Sequence, residues 1–190
     1  PEFRRAFQPG GTFFFTVVTA KRRPILCTPF ARRILRAAIN IEIQSNPFDL
    51  TAIVLLPDHL HAIWTMPDGD NDFSSRWARI KRHFTRDWLT GGGQEAEVSK
   101  KRAQRSDRGV WQPRFWEHTI RDEADFVAHL DYIHFNPVRH GLASCPHAWP
   151  HSSFDRFSKQ GRYDPNWRCG CTGRVSRPPD FSKIAAYAME

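Results

Sequence analysis

Residues 55–67 carry the sequence LLPDHLHAIWTMP, in which Pro57-Asp58 separates two apolar runs. So short a break predicts a tight antiparallel hairpin between strands at 50–56 and 59–66. Side chains alternate along a strand, so Leu60 is predicted to face the core while His59 and His61 point to the opposite face. Two imidazoles on one strand face are able to bind a divalent ion. Surface or core histidines give the same pattern, and both interpretations stay open at this point.

The sequence on both sides of the hairpin predicts the remaining elements. Thr28 followed by Pro29 favours a helix start, because threonine caps the first turn and proline fits its first position. A later helix that carries Tyr132 is expected to stop near Asn136-Pro137, since proline interrupts helical hydrogen bonding. The predicted elements are strands at 13–19 and 111–120 and helices at 28–45, 74–88 and 122–135.

These elements predict an α+β fold, a central antiparallel sheet with the two long helices, 28–45 and 122–135, packed on one face. Residues 90–109 contain three consecutive glycines and mixed charge, which predicts a mobile loop. After Gly141 the chain is rich in Pro, Trp, His, Ser and Arg. Residues 150–190 are therefore predicted to be a tail that packs over a domain of residues 1–149.

The composition favours a soluble protein with a polyanionic partner. Lys and Arg outnumber Asp and Glu by 28 to 20, which gives a net charge of +8. A basic surface gains affinity for phosphates by releasing condensed counterions, although an ordinary solvated surface explains the same charge. No apolar run approaches the roughly 20 residues that cross a bilayer, and the first residues lack the apolar core of a secretion signal. A cytoplasmic location is expected.

The four cysteines do not predict a secreted disulfide framework, because the chain is long and shows no export signal. Cys169 and Cys171 could join His147 and His151 in a zinc site. Their C-x-C spacing, however, lacks the usual C-x-x-C knuckle. Free thiols are the favoured interpretation.

The helix predicted at 122–135, with the residue that follows it, carries an aligned polar stripe. At about 100° per residue, Asp125, His129, Tyr132 and Asn136 share one face. An ordinary amphipathic helix with a surface tyrosine explains the stripe as well. The stripe is therefore compatible with a functional site without establishing one.

Three motifs together resemble the single-tyrosine branch of the HUH endonucleases, and within it the REP-associated tyrosine transposases, relatives of the single-strand insertion-sequence transposases. The motifs are LLPDHLHAIWTMP (55–67), WQPRFWEHTIRDE (111–123) and YIHFNPVRHGL (132–142). HAWPHSSF (147–154) is similar to the tail segment of that family. The resemblance covers residues 10–168 and implies the ferredoxin-like or RRM-like sheet of these enzymes.

The resemblance implies roles for individual residues. His59 and His61 match the two histidine metal ligands, Asn136 matches the third ligand position, and Tyr132 matches the nucleophile. A carbonyl oxygen beside two imidazoles suits one Mg²⁺ or Mn²⁺ ion. The implied reaction is metal-dependent cleavage and rejoining of single-stranded DNA through a 5′-phosphotyrosine, as in DNA transposition and recombination.

Supporting roles and a partner follow from the same resemblance. His118 and Glu117, with Asp125 and His129, are candidates for holding the site or contacting the phosphate. The implied partner is single-stranded DNA folded into imperfect hairpins of repetitive extragenic palindromes (REP), bound by a monomer, with a dimer left open. The predicted DNA-contacting residues are Arg76, Arg79, Lys81, Arg82, Arg86, Lys100, Lys101, Arg102, Arg114 and Arg139.

Two alternative functions are compatible with the same motifs. A relaxase or replication initiator shares the chemistry, but the usual extra domain of such proteins counts against it in a chain of 190 residues. A DNA-hairpin binding protein that has lost catalysis differs from the enzyme only in turnover. Retention of His59, His61, Tyr132 and Asn136 counts against the binding protein, although intact residues alone do not prove turnover.

Overall fold

The computed structural model describes residues 8–105, 107–172 and 180–188. Residues 1–7 of the predicted domain, residue 106 of the predicted loop, and residues 173–179 and 189–190 of the predicted tail lie outside the described residues. The elements are β1 (Thr12–Val18), α1 (Pro29–Ser45), β2 (Asp49–Leu55), β3 (His59–Thr65), α2 (Phe73–Thr90), α3 (Lys100–Ala103), β4 (Trp116–Thr119), α4 (Glu123–Arg139), α5 (Phe154–Lys159) and α6 (Ser182–Tyr187). Short 3₁₀ turns occur at Ala20–Arg22, Pro146–Ala148 and Gly170–Thr172.

The strands form one antiparallel sheet in the order β2-β3-β1-β4. The predicted hairpin is confirmed, since β2 and β3 pair with Leu55 opposite Leu60 on either side of the short turn. β1 lies beside β3 at the centre of the sheet, and its register places Thr16 opposite His61. The predicted α+β fold class is confirmed.

Both faces of the sheet are buried, each under different helices. On one face Phe13, Phe15 and Trp64 pack in a core with α1 and α2. On the other face Phe14 and Ile63 pack in a second core with α4. The prediction that both long helices lie on one face is therefore wrong. The apolar run of β1 supplies hydrophobic side chains to both faces, so each face needs its own cover.

Both helices of the first layer begin at side-chain caps. Thr28 Oγ1 accepts a hydrogen bond of 3.2 Å from the Ala31 N–H at the start of α1, as the sequence predicts. Asp72 Oδ1 accepts one of 3.1 Å from the Ser75 N–H at the start of α2. Each cap satisfies an amide that has no partner within its own helix.

Helix α4 is longer than predicted and continues through Pro137 to Arg139. Proline removes one N–H donor, yet Pro137 is buried inside the helix, which continues for two further residues. The His140 N–H then donates to the Asn136 carbonyl oxygen at 3.0 Å and completes the last turn. Asn136 consequently lies inside the helix, one turn after Tyr132.

The segment 90–109, predicted to be a mobile loop, contains defined structure. It includes α3, and Arg108 forms an ion pair with Glu95. The Glu95 carboxylate also accepts a hydrogen bond of 2.8 Å from the Gly109 N–H. Any side chain at position 109 would collide with the backbone of Ala96, so this crossing requires glycine.

The tail packs along the sheet edge and then over α4. The Leu55 N–H donates to the His151 carbonyl oxygen at 2.8 Å, which extends the hydrogen bonding of β2 at its open edge. Further along the chain, Phe154, Tyr163 and Phe181 join the core on the α4 face. In the part of the chain that the structure describes, no helix is both long and apolar enough to cross a membrane.

Candidate active site

Two histidines of β3 meet two polar residues of α4 in the layer between sheet and helix. The ring centroids of His59 and His61 lie 4.9 Å apart, and the Tyr132 ring lies 5.3 Å from that of His61. The Asn136 side chain hydrogen-bonds to Tyr132. All four residues are buried. The structure thus brings together the predicted nucleophile and the three predicted metal ligands.

Two residues that the sequence analysis did not single out orient the histidines. His59 Nδ1 lies 2.6 Å from Asp58 Oδ1, and His61 Nδ1 lies 3.0 Å from Thr16 Oγ1. A partner on Nδ1 sets the ring orientation and makes Nε2 the nitrogen that would bind a metal. Asp58 precedes His59 directly, so the chain order offered a signal for it. Thr16 is 45 residues away, and only the strand register brings it to His61.

The pKa shifts at the site favour a neutral His61, which suits metal binding, and a protonated Tyr132. Burial, reinforced by electrostatic interaction with His59, His140 and Arg139, holds the pKa of His61 well below its usual range. Its imidazole is therefore neutral at physiological pH, the form that binds metals. Burial also raises the pKa of Tyr132 well above its usual value, against the opposing effects of Arg139 and Asn136. The hydroxyl keeps its proton in this arrangement.

Arg139 and Phe181 border the Tyr132 side chain. Arg139 Nη1 lies 3.5 Å from the Tyr132 hydroxyl oxygen, and the guanidinium carbon lies 5.7 Å from the ring centroid. The Phe181 ring lies 5.4 Å from the same ring. Arg139 is exposed, so a cation stands between the buried hydroxyl and solvent.

Three of the predicted supporting residues, His118, Asp125 and His129, form a hydrogen-bonded group on the far side of Phe14 from His61. Asp125 Oδ2 lies 2.9 Å from His118 Nε2, and Asp125 Oδ1 lies 3.1 Å from His129 Nδ1. Arg121 donates to the same carboxylate at 2.9 Å. Burial favours a higher pKa for Asp125, but the hydrogen bonds from Arg121 and His118 outweigh it and hold that pKa well below its usual range.

This group could also hold a metal ion, because ligand atoms of His118, Asp125 and His129 all lie within 4.8 Å of one another. Its hydrogen bonds already explain the arrangement, which ties β4 to the first turns of α4. Glu117 does not belong to it. Glu117 pairs with Phe15, whose side chain faces the α1–α2 core, so Glu117 points away from Tyr132.

Two of the predicted DNA-contacting arginines require correction. Arg76 is buried and donates to the Asn46 and Pro47 carbonyl oxygens and to the Asp70 carboxylate. Arg79 donates three hydrogen bonds, of 2.9, 3.0 and 2.7 Å, to the Glu42 carboxylate on α1. Both guanidiniums therefore hold the fold together. Helical spacing alone places Arg76 and Arg79 away from the apolar face of α2. It does not reveal that α1 packs against α2 on the side that carries them.

The remaining basic residues of α2 line an open groove of about 530 Å³. Its wall includes the basic residues Lys81, Arg82, Arg86, Arg102 and Arg108. Lys100, Lys101 and Arg114 are exposed near it along the chain. Trp111, which lines the groove, forms a β-bridge with Thr19. Thr19 directly follows Val18, the β1 residue that pairs with His59. One residue of the groove therefore lies near the end of β3 that carries His59, while α2 itself packs on the opposite face of the sheet from the histidines.

Three of the four cysteines converge, which contradicts the favoured interpretation as free thiols. Cys145, Cys169 and Cys171 lie together with His147, whereas His151 is not part of the group. Cys27 stands apart, with its sulfur 3.7 Å from the Leu55 carbonyl oxygen, and burial raises the pKa of its thiol to about 11. The sequence carried no signal that residues 145 and 169 would meet.

Comparison with known proteins supplies an independent line of information. No family model matches the chain. The chain is 41% identical over 166 residues to the REP-associated tyrosine transposase of Escherichia coli K12, covering 87% of this chain and 90% of that protein. It is 38% identical to a Haemophilus influenzae protein named for the same family, covering 87% of this chain and 92% of that protein. A solved structure of a REP-associated tyrosine transposase bound to a REP hairpin matches with a TM-score of 0.72 and 39% identity, over 94% of each chain.

Fold, site and relatives agree on the class of protein. A histidine pair on a central strand faces a helical tyrosine, in a chain whose relatives are tyrosine transposases, which are enzymes that cleave DNA and transfer strands. Within that class, the chain belongs to the REP-associated tyrosine transposase family.

Proposed function

We propose that this enzyme cleaves and rejoins single-stranded DNA at hairpins of repetitive extragenic palindromes, with Tyr132 as the nucleophile. The observation that carries the proposal is the placement of Tyr132 and Asn136 on one face of α4, directly opposite His61 on β3. The solved relative in complex with a REP hairpin supports the choice of substrate.

The chemistry follows from the tyrosine. Its hydroxyl oxygen attacks the phosphorus of the scissile phosphodiester and loses its proton as the new bond forms. The bond from phosphorus to the 3′ oxygen breaks, and that oxygen leaves as a 3′-hydroxyl after taking up a proton. The product is a 5′-phosphotyrosine, which keeps the energy of the phosphodiester. A second 3′-hydroxyl can therefore reverse the reaction and join a different end without ATP.

His59, His61 and Asn136 fit a single divalent metal ion. The Nδ1 atoms of both histidines have partners that set the rings, and the neutral state of His61 is the ligating one. An amide oxygen with two imidazoles suits Mg²⁺ or Mn²⁺. Bound there, such an ion supplies positive charge for the phosphate oxygens. Arg139, 3.5 Å from the hydroxyl, adds positive charge that favours the tyrosinate as it forms.

DNA reaches this site only after a local opening. Tyr132 is 0% exposed, and Phe181 contacts its ring. Arg139 at the hydroxyl, or the Phe181 segment against the ring, would have to move before a phosphate can approach the hydroxyl. Burial also raises the pKa of Tyr132. In the covered state the hydroxyl is therefore both inaccessible to DNA and protonated.

The basic groove on α2 is where the hairpin duplex would bind. Arg82 and Arg86 are exposed one turn apart on α2, and Lys81 beside them also donates to the Gln112 carbonyl oxygen, so this helix presents positive charge suited to a phosphate backbone. Trp111 of the groove bridges to Thr19, beside the Val18–His59 pair, so a single strand that leaves a hairpin bound near Trp111 would pass around the end of the sheet to reach Tyr132 on the other face.

The test is covalent trapping of the DNA. The full chain is incubated with a labelled REP hairpin oligonucleotide carrying a single-stranded flank, with Mg²⁺ or Mn²⁺, and adducts that survive denaturation are measured. Wild type should form the adduct and Tyr132→Phe should not. Tyr163→Phe is the matched control, because it removes the hydroxyl of another buried tyrosine, one that donates to Asp131.

Each outcome has a definite meaning. An adduct with Tyr132→Phe would show that another residue is the nucleophile. Tight hairpin binding with no adduct in wild type, under either metal, would instead indicate a binding protein without turnover.

A further inference from the structure

Three cysteines and a histidine from two separate segments converge beyond the end of α4. Cys145 and His147 belong to the turn after that helix, and Cys169 and Cys171 belong to the tail. One ligand atom from each side chain lies within 4.8 Å of all the others. Cys145 and Cys169 are buried, whereas His147 and Cys171 are exposed, so the group has an inner side and an opening to solvent.

A disulfide bond does not account for this group. The Cys169 sulfur lies within disulfide-bonding distance of the sulfurs of both Cys145 and Cys171, and the Cys145 and Cys171 sulfurs lie 3.0 Å apart. One cysteine sulfur can form only one disulfide, so pairing leaves a third sulfur beside the bond and gives the histidine no role. A single ion that binds every member explains all four positions.

We propose that Cys145, His147, Cys169 and Cys171 form a structural zinc site. Three thiolates and one imidazole are an established donor set for closed, tetrahedral Zn²⁺. Two sulfurs on such an ion lie about 3.7 Å apart, so the Cys145 and Cys171 sulfurs, 3.0 Å apart here, and the Cys169 sulfur between them would move apart to admit the ion. Thiolates also select zinc over Mg²⁺ or Mn²⁺, so this site and the one at His59 and His61 take different metals.

The backbone already holds the two halves of the site together. The Gly170 N–H donates to the Ser144 carbonyl oxygen at 3.1 Å, between the two ligand pairs. A side chain at position 170 would press on that carbonyl oxygen at 3.2 Å, so glycine suits the close approach. Each half supplies ligands two residues apart, C-x-H and C-x-C. This is why a search for C-x-x-C knuckles does not find the site.

The site would join the tail to the chain that directly follows the Tyr132 helix. Beyond Cys171 the described chain resumes with residues 180–188, where Phe181 contacts Tyr132. Bound zinc would therefore limit how far this covering segment can move. The zinc proposal does not depend on the proposed function, because a protein without DNA cleavage would bind zinc equally well.

The test measures metal content in the full chain, purified under reducing conditions without added metal. Elemental analysis should find about one zinc ion per chain, resistant to dialysis against a weak chelator. Cys171→Ser and His147→Ala, both at exposed positions, should lose it. Replacing the zinc with Co²⁺ should give the thiolate-to-cobalt absorption of a tetrahedral site.

Two controls separate this site from the rest of the molecule. Cys27→Ser, at the cysteine outside the group, and His61→Ala, at the proposed active site, should both keep their zinc. Hydrogen exchange at 169–171 and 180–188 should speed up by about tenfold or more in Cys171→Ser. The proposal is overturned if wild type carries no zinc, or if its mass shows the loss of two hydrogens to a disulfide under the same conditions.

Discussion

Thr16 of β1 and His61 of β3 face each other at the centre of the sheet, with 3.0 Å between the threonine Oγ1 and the histidine Nδ1. This pair is fully buried. Because the hydroxyl engages Nδ1, it sets which nitrogen of His61 points toward Tyr132. A residue outside every recognised motif thereby prepares the proposed metal ligand.

Thr16→Val should weaken metal binding while leaving Tyr132 in place. Valine keeps the shape of threonine and removes its hydroxyl, so the His61 ring loses its orienting partner. We expect the Mn²⁺ concentration for half-maximal cleavage to rise by about tenfold to 100-fold. Thr16→Ser, which keeps the hydroxyl, should stay near wild type. An unchanged Mn²⁺ dependence in the valine variant would show that the hydroxyl has no such role.

His61→Ala should separate catalysis from binding. Loss of one metal ligand should lower adduct formation by about 100-fold or more, whereas hairpin affinity should change by less than about threefold, since phosphate contacts elsewhere carry it. Chelation of metal in wild type should give the same pattern. Parallel loss of cleavage and affinity would mean that His61 maintains the fold instead.

Arg82→Ala should weaken hairpin binding in a salt-dependent way. Arg82 is exposed in the basic groove, and removing one phosphate contact should reduce the slope of log affinity against log salt by about 1. Lys159→Ala is the control, because it removes the same charge from an exposed ion pair on α5, outside the groove. Equal effects of the two variants would place the hairpin elsewhere.

Arg79→Ala should instead lower the free energy of unfolding, by about 2 to 3 kcal/mol, because it leaves the Glu42 carboxylate buried without its guanidinium partner. Chemical denaturation measures this change. The double variant with Glu42→Gln should recover part of the loss. If Arg79→Ala keeps full stability but lowers the slope of log hairpin affinity against log salt, Arg79 contacts DNA and the prediction is wrong.

His134 should make stability depend on pH on the acidic side of neutrality. Burial, aided by Arg156, lowers the pKa of His134 to about 3, so the folded state keeps the ring neutral. The unfolded chain binds a proton below about pH 6.5, so stability is complete above that pH and is lost as pH falls toward 3. The expected slope is about 1.4 kcal/mol per pH unit.

The measurement compares denaturation of wild type and His134→Gln at pH 7.5 and pH 5. Glutamine can still hydrogen-bond to Ser153, the partner of His134 Nε2 at 2.9 Å. The other histidines titrate alike in both proteins, so the difference between the two pH dependences reports His134. Parallel curves would contradict the prediction.

Local rules were sufficient for several parts of this protein. The Pro57-Asp58 turn, the alternation that sends His59 and His61 to one face, and the Thr28 cap all depend on neighbours within a few residues, and all appear as predicted. The motif resemblance then pointed to Tyr132 and Asn136, and α4 brings them to His61.

Only the tertiary structure decided which distant residues meet. Strand register places Thr16 against His61, and the packing of α1 on α2 converts Arg79 from a surface charge into the partner of Glu42. Helix α4 also continues past the buried Pro137, against the local preference of proline. The cysteine group depends on a chain return over 24 residues. Such contacts arise from the packing of whole elements, and neither spacing nor composition within one segment encodes them.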